Sequence, residues 1–181
     1  MKKLALALAT GALALAIPCA PAFATIETQE AKDAASEAAA SARNDMYVAF
    51  GDKELKPGQY LWREVDADGP ARVVISLGDQ MAYLYRGDTL VAVSTISSGR
   101  DTHPTPTGIF PILQKEPMHR SFKYENAPMP FMQRIDDYGI ALHAGQLPGH
   151  PASHGCIRLP AQFAAKLYRV TDIGSEVLIA A

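Results

Sequence analysis

The chain has 181 residues, 48% of them hydrophobic and 20% charged, with a formal net charge of −2. This is ordinary globular composition, with room for one sizeable core rather than two. The near-neutral balance, with no basic patch interleaved with aromatics, excludes a nucleic-acid partner.

Lys2 and Lys3 precede a largely apolar run from Leu4 to Ile17, and the next residues end in Ala22-Phe23-Ala24. A short basic start, an apolar stretch and a small-x-small site predict a secretory signal peptide over 1–24, hence export to the periplasm or cell wall. The apolar run falls short of the ~20 residues a spanning helix needs, so no membrane span is expected after cleavage. Pro18 stands where a lipoprotein site carries a small residue before its cysteine, which discounts lipidation at Cys19. Removal of the leader leaves 15 Lys and Arg against 19 Asp and Glu, a net of −4, and a single cysteine, Cys156. In an oxidising compartment that thiol has no internal disulfide partner, so it is intermolecular, buried or reactive.

Residues 25–70 read as a solvated N-terminal spacer and domain-edge segment. Their first half is mostly Ala, Ser and charge, which favours helix by propensity but offers little apolar face. Tyr60 and Trp62 are expected to cover an edge of the domain. From Ala71 to the end, residues 71–181, the texture is that of strands. "RVVISL", "MAYLYR" and "TLVAVSTISS" are short β-branched and aromatic runs, the last two joined by Gly87-Asp88, a hairpin signal. "GIFPILQK", "YGIALHA" and "SEVLIA" are further strand candidates. Between the first two of these, residues 116–137 carry three prolines and no clean period, which predicts a long lid-like loop. One helix is expected after Pro160, with Leu159, Phe163 and Leu167 on one face. The reading is one mainly β domain, with that helix directly after the cysteine segment.

"HAGQLPGHPASHGCIRLP" (143–160) concentrates the chemistry. A free thiol is a weak nucleophile near neutral pH unless a base removes its proton. His143 ends a strand, a rigid place from which to aim an imidazole, and Cys156 ends a loop. Gly155 clears the approach to the thiol, and backbone N–H groups of such a turn suit an oxyanion. The rival is zinc held by His143, His150, His154 and Cys156. It suffers from a one-residue spacer between His154 and Cys156, and from the lack of a neighbouring acid as general base. The remaining reading, an inert buried cysteine, fits poorly beside Ser, His, Gly and Pro.

"SHGCIRL" (Ser153–Leu159), with Leu142-His143 upstream and "HPTPTGIFPI" before both, resembles the YkuD-type L,D-transpeptidase catalytic domain. The resemblance covers roughly 71–180. It implies a β-sandwich-like fold of mixed strands, with no metal or organic cofactor. It also implies an exported cysteine transpeptidase acting on peptidoglycan stem tetrapeptides, releasing D-alanine and passing the acyl group to an amine. In that scheme Cys156 is the nucleophile and His143 its base. Gly155 and Cys156 offer N–H groups to the oxyanion, and Ser153 and His154 shape the loop. The thiol is then open to acylation by carbapenems. Transfer to water instead makes an L,D-carboxypeptidase or crosslink-cleaving hydrolase, and loss of the reaction leaves a peptidoglycan-binding module. These alternatives stay open at this point.

Two departures stand out. Nine residues separate His143 from Ser153, where the family pattern has a longer spacer. Arg158 stands where some members have Asn; it either holds a stem carboxylate through its fork of donors or packs against the following helix. His103, His119 and His150 are expected to be loop or surface residues.

Overall fold

Residues 25–181 are described by the computed structural model; the leader expected at 1–24 lies outside the described residues. Helix α1 (Gln29–Phe50) comes first, then strands β1 (Tyr60–Trp62), β2 (Ala71–Ser76), β3 (Met81–Arg86) and β4 (Thr89–Thr95). Next come β5 (Gly108–Pro111), β6 (Gln114–Arg120), β7 (Pro128–Arg134), β8 (Ala141–Ala144) and β9 (Ile157–Leu159). Helix α2 (Ala161–Val170) and β10 (Glu176–Ala180) complete the chain. The strands make a six-stranded sheet ordered β1-β4-β3-β2-β10-β5 and a four-stranded sheet ordered β6-β7-β8-β9. Each sheet is mixed, through parallel pairs β10–β2 and β8–β9.

Alternation in the strands explains the layering. Val73, Ile75 and Leu84 face a core shared with Leu142, Ile157 and Leu159 of the smaller sheet and with Phe163 and Leu167 of α2. The intervening Val74, Tyr83 and Tyr85 face the other way, into a second apolar cluster with Ala35, Ala39 and Ala42 of α1. The expected face of the second helix is thus observed. Tyr60 and Trp62, on the edge strand β1, set their rings against Phe163 at centroid distances of 5.7 and 6.0 Å.

The segment expected to be a solvated spacer is a docked helix. Thr28 caps α1 through its hydroxyl, which accepts from the Ala31 N–H, and Gly51 ends it with φ +77°, its N–H donating to the Tyr47 carbonyl. Ala31, Ala35, Ala39 and Ala42 recur three or four apart and are buried. A stripe of methyl groups carries little hydrophobicity per residue, yet it lets the helix axis approach the sheet closely. Asp45 fixes the helix further by accepting from the Tyr85 hydroxyl at 2.7 Å.

The expected lid-like loop is a β-hairpin, β6–β7. Its prolines sit where a missing N–H is tolerated. Pro117 lies on the edge strand β6, and Pro128 and Pro130 lie in the part of β7 that β8 does not reach, since β8 pairs only with Gln133 and Arg134. No helix among the described residues is long and apolar enough to cross a membrane.

Candidate active site

The parallel pairing of β8 with β9 sets Leu142 beside Ile157 and His143 beside Arg158. Because side chains alternate across a strand, Leu142, Ile157 and Leu159 enter the core while Ala141, His143, Cys156 and Arg158 face outward together. They line a cleft of about 1070 Å³ that extends across the β6–β7 hairpin. One sheet face therefore gathers the thiol and the imidazole that the sequence separates by a loop.

His143 is 7% exposed, and its Nδ1 lies 2.9 Å from the Ala144 carbonyl. A carbonyl only accepts, so Nδ1 carries the proton and Nε2 is left as the basic nitrogen. Burial pushes the His143 pKa down, partly offset by that backbone contact, with Arg158 and His119 lowering it further. Cys156 is the free cysteine among the described residues. Burial pushes its thiol up, against a smaller opposing pull from the Ala141 N–H. Its Sγ donates to the Gly139 carbonyl at 3.8 Å. Burial thus favours the uncharged form of both groups, a protonated thiol and a neutral imidazole lining the same cleft.

The turn that presents the thiol is built from main-chain bonds. The Ser153 hydroxyl donates to the Cys156 carbonyl at 2.5 Å and accepts the Gly155 N–H at 3.1 Å. This second bond departs from expectation: the Gly155 N–H is already committed within the turn, so Gly155 is a shaping residue here. Its φ of +107° favours glycine, and an added Cβ would lie 2.5 Å from Ile140 Cδ1. Thr105, buried within the Thr-Pro-Thr-Gly stretch, clamps this turn from the connection between β4 and β5. Its hydroxyl donates to the Gly155 carbonyl and accepts the Gly99 N–H, both at 2.8 Å. A Cβ on Gly99 would lie 2.9 Å from Gly155 Cα, so this segment packs backbone to backbone on the cysteine loop. Thr105 was readable as part of a motif, but its function needs the fold.

The other candidates divide. Arg158 lies along Gly145 and lines the cleft. His154 also lines the cleft, its ring stacked on Tyr124 of the hairpin connection at 4.3 Å and its Nε2 2.5 Å from Arg100 Nη2. His119, expected at the surface, lines the cleft and pairs with Glu116 at 2.7 Å. His103 packs edge-on against His154, and His150 is exposed. Among the described residues no three His, Cys, Asp or Glu side chains are grouped to hold a metal, so the four ligands of the zinc reading are not brought together.

A comparison with solved structures finds the same fold in L,D-transpeptidases. One from Mycobacterium smegmatis is 20% identical, with TM-score 0.58, over 61% of this chain and 58% of that one. One from Stackebrandtia nassauensis is 22% identical, with TM-score 0.57, over 75% of this chain and 64% of that one. L,D-transpeptidase 3 from Mycobacterium tuberculosis, in complex with a faropenem-derived adduct, is 22% identical, with TM-score 0.57, over 62% of this chain and 60% of that one. The match thus spans less than two thirds of each of these chains. A comparison with curated proteins gives no match. The sequence pattern of the YkuD L,D-transpeptidase catalytic domain matches residues 70–179, a span that holds both sheets except β1 and the end of β10, α2 and the whole cleft. The chain belongs to the L,D-transpeptidase catalytic domain family.

Proposed function

We propose that this protein is an exported cysteine L,D-transpeptidase that acts on peptidoglycan stem tetrapeptides, with Cys156 as nucleophile and His143 as base. The observation that carries the reading is the shared cleft face of Cys156 and His143, with Nδ1 of the imidazole held by the Ala144 carbonyl. His143 Nε2 takes the thiol proton as the sulfur attacks the carbonyl of the third stem residue. The carbon–sulfur bond forms, the oxyanion is met by the Cys156 N–H, and the carbon–nitrogen bond to D-alanine breaks as the imidazolium returns the proton to the leaving amine. An acceptor amine then attacks the thioester; its proton passes through His143 to the departing sulfur. Ser153, His154 and Gly155 hold the loop, and Arg158 is placed for a stem carboxylate. The signal-peptide pattern at 1–24 supports export, and the faropenem-derived adduct of a relative supports acylation by carbapenems and kindred β-lactams.

The test is intact mass spectrometry after incubation with a disaccharide-tetrapeptide or imipenem. An adduct on the wild type that is absent from Cys156→Ala supports the reading. Muropeptide turnover by Cys156→Ala at the wild-type rate overturns it. The products separate the variants of the chemistry: an amide marks transfer, whereas a free carboxylate marks carboxypeptidase or hydrolase action through the same acyl-enzyme. A wild type that binds the peptide without turnover is a binding module.

A further inference from the structure

A lateral row of side chains crosses the four-stranded sheet. Glu116 pairs with Met132 and His143 pairs with Arg158, while the Gln133–Leu142 pairing sets Met132 next to His143. The four share one face, and all line the cleft. With strands about 4.8 Å apart, the backbones of Glu116 and His143 stand roughly 10 Å apart, and those of Glu116 and Arg158 roughly 14 Å. A carboxylate and a guanidinium thus sit at opposite ends of the cleft floor.

Glu116 is oriented. Gln114 Nε2 donates to its Oε1 at 2.5 Å, and the His119 ring nitrogen lies 2.7 Å from its Oε2. Its side chain is 37% exposed, and an ionised carboxylate keeps further lone pairs for a ligand. The other carboxylate lining the cleft, Asp137, is 95% exposed and lies against Arg134 at 3.5 Å. Arg134 itself is turned to the Gln114 side-chain oxygen and the Asp136 carbonyl. Glu116 is therefore the anchored acid of the cleft. Met132, between Glu116 and His143, offers an apolar floor for a methylene stem.

We propose that Glu116 is a specificity-determining residue that recognises a cationic side chain on the residue whose carbonyl Cys156 attacks. This rests on the transpeptidase reading above and deepens it. A side chain of lysine length, starting from a carbonyl held between Cys156 and His143, runs its methylenes over Met132 and brings its ammonium to the Glu116 carboxylate. Arg158, at the other end of the row, is left for a carboxylate.

The experiment compares two tetrapeptide donors, one with lysine and one with norleucine at the third position, in the wild type and in Glu116→Gln. The readout is the ratio of their kcat/KM values for D-alanine release. Because each protein supplies its own ratio, a partly misfolded sample leaves it unchanged. The wild type should prefer lysine by about tenfold, Glu116→Gln should bring the ratio near one, and Glu116→Lys should invert it. A wild type indifferent to the charge, or a preference that survives Glu116→Gln, overturns the proposal. A wild type on which neither donor nor imipenem forms a Cys156 adduct removes the transpeptidase reading, and this inference with it.

Discussion

At His143 and Cys156, burial works against both charged forms, and the two shifts run in opposite directions. The imidazole stays neutral to lower pH than an ordinary histidine, and the thiol stays protonated to higher pH than an ordinary cysteine. Acylation by proton transfer within this pair needs the neutral imidazole and is lost as pH falls through the depressed His143 value. The kcat/KM for acylation should therefore be level from about pH 7 to 9 and fall on the acid side with a midpoint below about 6.5. A pH profile of D-alanine release checks this; a rate that climbs with ordinary thiolate formation near pH 8.5 contradicts it. Both residues were legible in the sequence because they belong to short contiguous patterns, Leu-His and Ser-His-Gly-Cys. Thr105 and Glu116 were not, because their positions in the site depend on a loop packed against another sheet and on strand register. The bond from the Gly155 N–H to Ser153 escapes the sequence for a related reason: a turn's internal bonds are not written in its residue types.

Helix α1 shows what an element conceals at sequence level. Propensity predicts the helix, but its docking depends on alanines that barely register as apolar. Ala42 is fully buried among Val74, Tyr83 and Tyr85 and their neighbours. Ala42→Asp places an unpaired charge there and should cost on the order of 3 kcal/mol. For a domain of this size that is a fall in Tm of about 6 to 12 °C, measurable by calorimetry. An exposed control, Ala40→Asp, should leave Tm within about 2 °C. The β6–β7 hairpin was hidden by its prolines, which argue against both helix and central strand. Edge placement removes the objection, and edge placement is a property of the sheet rather than of the segment.

Across the whole molecule, the mainly β class followed from composition and alternation, whereas the sheet order and the second apolar cluster under α1 did not. Strand β10 inserts between β2 and the edge strand β5, so residues 176–180 occupy an interior position of the larger sheet. Val177 and Ile179 are fully buried, and the strand pairs along its length with β2. Removing residues 176–181 should therefore abolish folding rather than trim an end. Loss of the cooperative thermal transition, with no Cys156 adduct from imipenem, is the expected result; a truncated chain that still melts cooperatively would refute it. The two sheets also meet through main chain: Ser97 and Arg158 exchange a reciprocal pair of N–H···O bonds at 3.0 Å, and both the Ala152 and Ser153 N–H groups donate to the Ser98 carbonyl. Amide-to-carbonyl bonds are indifferent to which side chains flank them. A scaffold that locates its thiol by such a seam tolerates wholesale replacement of its residues, provided the few glycines that allow the close approach remain. This chain shares its fold with chains that keep about one residue in five in common.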